Sequence, residues 1–188
     1  MSTLETNLIQ PSTGTTLTLG ASGDTVTLGS GATQSGFGGE NTPAFFVSLS
    51  ADQAISGAST ETQVQFNTEL FDTDNCYDNS TNYRFTPTTA GKYALFSSVN
   101  VFTSSGDWNQ YYVEINKNGT RIALSTANYY VNVIGGGNSM TIPVHAIADA
   151  NGSTDYFDVY FSCNNANGKA NGDSNTFTNF YGYKLNGV

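Results

Sequence analysis

The sequence predicts an all-β fold, a sandwich of about eight to ten antiparallel strands, and three observations carry that expectation. Apolar residues recur on a period of two in short runs separated by Gly, Asn and Ser turns, and no stretch sustains a helical period. Aromatic residues reach 13%, charged residues only 11%, and 20 glycines are spread throughout, which suits packed strands and tight turns. The third observation is Phe85 to Val101, FTPTTAGKYALFSSVNV, where a corner feeds a strand that is apolar on both sides.

In that stretch Pro87 fixes its own φ and cannot donate to a sheet ladder, while Gly91 permits the angles of a tight corner. On a period of two, Tyr93, Leu95, Val99 and Val101 share one face, and Ala94, Phe96 and Phe102 share the other. Both faces therefore need cover. One can face a sandwich core, and a second subunit is the usual source of cover for the other.

Taken in order, residues 1–38 read as an N-terminal stalk. They are rich in Thr, Gly and Ser, and Thr16-Leu17-Thr18-Leu19-Gly20 recurs nine residues later as Thr25-Val26-Thr27-Leu28-Gly29. Two copies offer too little apolar surface to order one chain alone, so the segment is either disordered or wound with identical neighbours into a β-rich or extended stalk. Residues 39–43 form a Gly-rich hinge, and 44–188 a head. In the head, Phe45, Val47 and Leu49 mark a first strand, Ala51 to Glu61 a polar loop, and Val64 with Phe66 the start of the next strand. Asp72 to Asn82 is an acidic connection and Ser104 to Asn109 a turn. Asn118-Gly119 is a type I′ hairpin signal between Val113/Ile115 and Ile122/Leu124. Tyr129 to Ile134, Met140 to Ala146 and Phe157 to Phe161 read as strands, with Asn164 to Asn175 a long polar loop. This succession describes a jelly-roll sandwich.

Several of these stretches resemble, in order, the globular head of complement component one-q and its tumour-necrosis-factor relatives. They are VQFNTELFDTDNCYDNSTNYRF (Val64 to Phe85), the Pro87–Gly91–Tyr93 corner, the hairpin YYVEINKNGTRIAL (Tyr111 to Leu124) and the closing FTNFYGYKL (Phe177 to Leu185). The resemblance spans Pro43 to Val188 and implies a homotrimer of jelly-roll heads. The Leu-Thr-Leu-Gly segments upstream resemble the shaft and neck sequences of tailed-phage fibres and related virion proteins.

The net charge of −9 is uneven, with nine acids and no Lys or Arg in residues 1–83 and all six basic residues from Arg84 onward. Without a basic patch there is nothing to neutralise phosphates, so no nucleic-acid partner is expected. No apolar run approaches the ~20 residues of a membrane helix, and MSTLETNLIQ lacks the basic and apolar regions of a secretion signal, so no membrane insertion is expected. Cys76 and Cys163 are too few for a disulfide framework or a zinc site, and whether they pair is left open.

No catalytic constellation is legible. The single histidine, His145, has no partner motif, and no nucleophile elbow, phosphate loop or zinc-protease motif occurs, so the protein is read as not an enzyme. Asp72, Asp74 and Asp78 are oxygen donors of the kind that suits calcium, although their spacing fits no EF-hand and a solvated acidic turn accounts for them better; no other cofactor is implied. Candidate ligand-binding residues are Asp107, Trp108, Asn109 and Asn138, chosen because they stand in loops rich in polar and aromatic groups. The resulting expectation is a non-enzymatic virion structural protein of a tailed phage: a trimeric fibre or capsid decoration. Its N-terminus would contact other virion proteins and its head a host surface glycan or protein. The alternative is a free carbohydrate- or protein-binding module of complement-one-q type.

Overall fold

The computed structural model describes residues 9–31 except 12, 26 and 28, and residues 41–186 except 104–109, 129–137 and 173–176. The chain divides into two compact units, Met1–Phe37 and Gly38–Val188. In the first, no strand occurs among the described residues. Its turns sit on glycines with left-handed φ, and Gly14 (79°) and Gly23 (95°) are nine residues apart, the same interval as the sequence repeat. Asp24 closes one turn by accepting the Ala21 N–H at 2.7 Å.

The second unit is a two-sheet sandwich with no helix among the described residues. In chain order the strands are β1 (Ala44–Ser48), β2 (Gln53–Ala54), β3 (Thr62–Gln63), β4 (Thr68–Asp72), β5 (Tyr77–Asp78), β6 (Arg84–Phe85), β7 (Gly91–Thr103), β8 (Tyr111–Lys117), β9 (Thr120–Ala127), β10 (Asn138–Ala150), β11 (Phe157–Cys163), β12 (Gly168–Ala170) and β13 (Asn179–Lys184). Sheet A runs β2-β12-β7-β13-β1-β4, with β10 on the other edge of β7; sheet B runs β5-β6-β11-β8-β9, with β3 on β11. All pairings are antiparallel.

β7 is the axis of sheet A. All 13 of its residues pair with β10, from Gly91↔Ala150 to Thr103↔Asn138. Along its other edge it pairs with β13 and then with β12. The corner before it is tied back by its own first aromatic residue, because the Tyr93 hydroxyl donates to the Thr89 carbonyl at 2.6 Å. Burial pushes that phenol up to about 12. The period-two reading of the faces holds: Tyr93, Leu95, Val99 and Val101 are buried in the core.

Between the sheets lies an aromatic cluster centred on Phe45, which stacks on Phe85 at 4.2 Å and meets Phe180 edge-on at 4.9 Å. Phe85 in turn meets Tyr93 edge-on at 5.6 Å. The close approach of Phe45 requires Gly182 on the neighbouring strand. A Cβ at 182 would lie 2.7 Å from the Ala94 carbonyl oxygen and 3.2 Å from the Phe45 ring. The Asn118-Gly119 hairpin joins β8 to β9 with both residues at left-handed φ (53° and 75°), as a type I′ turn requires.

The structure also corrects local expectations. Val64 and Phe66 are core residues but precede β4 rather than opening it. The polar loops 51–61 and 164–175 contain β2 and β12, which pair with each other, so a segment chosen for polarity extends sheet A. Cys76 and Cys163 are both buried free thiols, and Cys163 donates to the Asn165 carbonyl at 3.2 Å. The strand expected over 129–134 lies outside the described residues.

Gly182→Ala is expected to destabilise the head by about 2–3 kcal/mol, the usual scale of overpacking, read as a lower midpoint of chemical denaturation with an unchanged slope.

Candidate functional site

Odd-numbered residues of β7 point into the core, so Phe96 points out of sheet A. Register then places a row of side chains across five strands: Phe71 of β4 opposite Phe46 of β1, Phe46 opposite Tyr181 of β13, Tyr181 opposite Phe96 of β7, and Phe96 opposite His145 of β10. Rings follow one another at 6.5, 5.5 and 5.2 Å along Phe71, Phe46, Tyr181 and Phe96, and Tyr183 lies 6.3 Å from Phe96. Directly opposed residues of this type are the side-chain contacts that stabilise a sheet.

The row is not covered. Phe71, at one end, is 47% exposed, and Ile147, two residues beyond His145 on β10 at the other end, is 70% exposed. A groove of about 380 Å³ opens among Phe46, Phe96, Pro143, His145, Asn179 and Tyr181. Pro143 is tolerated because, among the described residues, β10 pairs only with β7 and lies at the edge of the sheet. A contiguous apolar face of this kind marks an interaction surface.

The outer face of sheet B is built differently. Glu114, Asn116, Asp158 and Ser162 occupy its outward positions and are buried. Glu114, only 2% exposed, accepts from Arg121 Nε on one oxygen and from Asn116 Nδ2 (3.1 Å) on the other, while Arg121 also binds Glu61 at 2.6 Å. Arg84 stacks on the Tyr156 ring at 4.3 Å. This face is closed by its own ionic network. Period-two reading of YYVEINK and FDVYFSC places Glu114 and Asp158 outward, but no local signal shows that Arg121 pairs with the first and Gln63 with the second.

The expected calcium ligands are engaged in shaping their loop. Asp72 Oδ2 accepts the Tyr77 N–H at 2.7 Å. Asp78 accepts the N–H groups of Ser80, Thr81 and Asn82 and the Asn82 side-chain amide, between 2.7 and 3.1 Å. Those bonds, the one from Thr81 foremost, hold its carboxyl far below the usual range. The Asp74 carbonyl accepts from the Cys76 thiol. Among the described residues no three His, Cys, Asp or Glu side chains are grouped to hold a metal ion, so Asp72, Asp74 and Asp78 are not brought together as a cage. The loop lines an open cleft of about 600 Å³ with Glu69, Tyr77 and Arg84.

Of the expected ligand-binding residues, Asp107, Trp108 and Asn109 lie outside the described residues, and Asn138 heads β10 opposite Thr103. The strand ends that bracket residues 104–110, 128–137 and 164–167 converge. Asn138 and Gly168 both pair with Thr103, and Cys163 pairs with Tyr111, so these connections leave the sandwich at one end.

No family model matches the sequence, and no curated protein does. Solved structures match in fold. Two crystal structures of mouse APRIL, at pH 8.5 and pH 8.0, superpose with TM-scores of 0.51 and 0.52 at 15% and 14% identity, each over 76% of this chain and 98% of theirs. The head has the tumour-necrosis-factor-like jelly-roll fold. The globular domain of zebrafish complement 1qA also matches, with a TM-score of 0.44 and 14% identity over 76% of this chain and 96% of its own. At these identities the likeness is one of fold.

Arg121→Leu is expected to cost on the order of 3 kcal/mol, because it leaves the buried Glu114 carboxylate without its cation. Thermal unfolding near neutral pH measures the loss, and Arg121→Lys should recover part of it.

Proposed function

We propose that this protein is a non-enzymatic binding module that works as a homotrimer, with heads packed through the outer face of sheet A. The uncovered row from Phe71 to His145 carries this reading: apolar area of that extent is stabilised by removal from water, at about 25 cal/mol per Å². The tumour-necrosis-factor-like fold supports it, being the architecture whose families the sequence resembles. Packing through a sheet face leaves the end from which the 104–110, 128–137 and 164–167 connections emerge free for a ligand. Three weak sites held about one axis gain by multivalency. A surface glycan or protein is the ligand class proposed for that end.

A narrower reading places the trimer on a tailed-phage particle as a fibre or capsid decoration, with residues 1–38 as its anchor. The nine-residue repeat, with Gly14 and Gly23 left-handed at the same interval, favours it. Nothing in the head bears on it.

Light scattering on the full chain and on a chain beginning at Asn41 is expected to give trimers for both. Phe96→Glu combined with Tyr181→Glu should give monomers with an unchanged circular-dichroism spectrum. A monomeric wild-type head removes the assembly reading, and a trimer only in the full chain moves association to residues 1–38.

A further inference from the structure

The ionic face of sheet B leaves buried oxygens of Asn116, Asp158 and Ser162 without a hydrogen-bond partner, and two of the three stand side by side. Asp158 and Asn116, 5% and 7% exposed, are directly opposed across β11 and β8, and each holds a buried oxygen, Oδ1 in both, with no hydrogen-bond partner. The amide cannot turn to relieve this, because Asn116 Nδ2 is already donated to Glu114 Oε1 at 3.1 Å. Nor can the carboxylate, whose Oδ2 accepts from Gln63 Nε2 at 3.1 Å. Two unpaired acceptor oxygens therefore belong to side chains on directly opposed positions, where Cβ atoms are ~5 Å apart. A buried polar atom in that condition is destabilising, because it has given up water and gained no partner.

We propose that a proton on Asp158 Oδ1, donated to Asn116 Oδ1, completes this network and makes the outer face of sheet B a latch that tightens in mild acid. One proton repairs both defects and removes one of two neighbouring buried negative charges. Burial, the largest influence, favours a proton on Asp158; Gln63 of β3, then Arg84 of β6, oppose it; Glu114 on β8 favours it; the residue's own backbone N–H opposes it; and the balance lifts the carboxyl to about 6. Arg121 of β9 is held by Glu114 and Glu61. Tyr160, two residues along β11, and Tyr77 of β5 have phenols raised chiefly by their own burial and next by the Asp158 charge.

The sign follows from linkage. The folded carboxyl binds its proton more tightly than an unfolded one, so stability increases as pH falls through about 6 and is lost as pH rises through it. Glu69 is also raised, by burial and then by Asp72, and must be separated from the effect.

The test is thermal unfolding of the full chain between pH 7.5 and 5, with and without millimolar calcium, for wild type, Asp158→Asn and Glu69→Gln. The amide of Asp158→Asn supplies the missing donor permanently. Its midpoint at pH 7.5 should exceed that of wild type and stay flat where wild type rises, while Glu69→Gln should retain the rise. A lower midpoint for Asp158→Asn at pH 7.5, or a rise abolished only by Glu69→Gln, overturns the proposal. Stabilisation by calcium at pH 7.5 that Asp158→Asn abolishes also overturns it, since a cation and not a proton would then fill the gap. Should Asp158→Asn fail to fold, the carboxyl carbon shift of Asp158 in labelled wild type decides: inflection near 6 supports the latch, and an inflection in the ordinary carboxylate range sinks it.

Discussion

The head depends on β7 being paired along both edges and apolar on both faces. Its 13 residues face β10 on one side and β13 with β12 on the other, so its ladder bonds are made within the sheet. Such a strand has no edge to offer a partner and can interact only through its faces. One face meets sheet B in the core. The other carries Phe96 and so sets the middle of the aromatic row, which could not form if β7 alternated apolar with charged residues.

The two outer faces of the sandwich resolve the same physical problem in opposite ways. Sheet B carries carboxylates and amides outward and covers them from within the chain, drawing Arg121, Glu61 and Gln63 over Glu114 and Asp158. A face closed by paired charges gains little from a second protein, since any partner must match the ion pairs it desolvates. Sheet A carries rings outward, and nothing among the described residues lies over them. The asymmetry is why the proposed association uses sheet A rather than sheet B.

Much of this was legible in the sequence, and the reason is periodicity. Alternation across β7, β10 and β11 sorts side chains between faces, and Asn118-Gly119 and Gly91 are turn residues with one dominant use. Gly182 was visible only as an aromatic-Gly-aromatic pattern, because its reason is the ring of Phe45, more than a hundred residues away. Short elements were missed for a related cause: β2 and β12 have the composition of loops and become strands because β12 pairs with β7 and β2 with β12. The Asp72, Asp74 and Asp78 cluster suggested a cage by composition, but Asp78 turns its carboxylate onto the backbone of its own loop. Acidic residues two apart in a turn often satisfy N–H groups in this way before any ion.

Asp158 shows how a fold acquires a property that no single residue announces. Placed outward on a β-strand, an aspartate is normally solvated and ionised. Here register sets it against Asn116, whose amide is held by Glu114, whose carboxylate is in turn held by Arg121. Each bond in that series fixes the orientation of the next, so the last oxygen has no freedom to find a donor. The cost of the arrangement then falls on the one group that can change its own hydrogen-bonding character by taking up a proton.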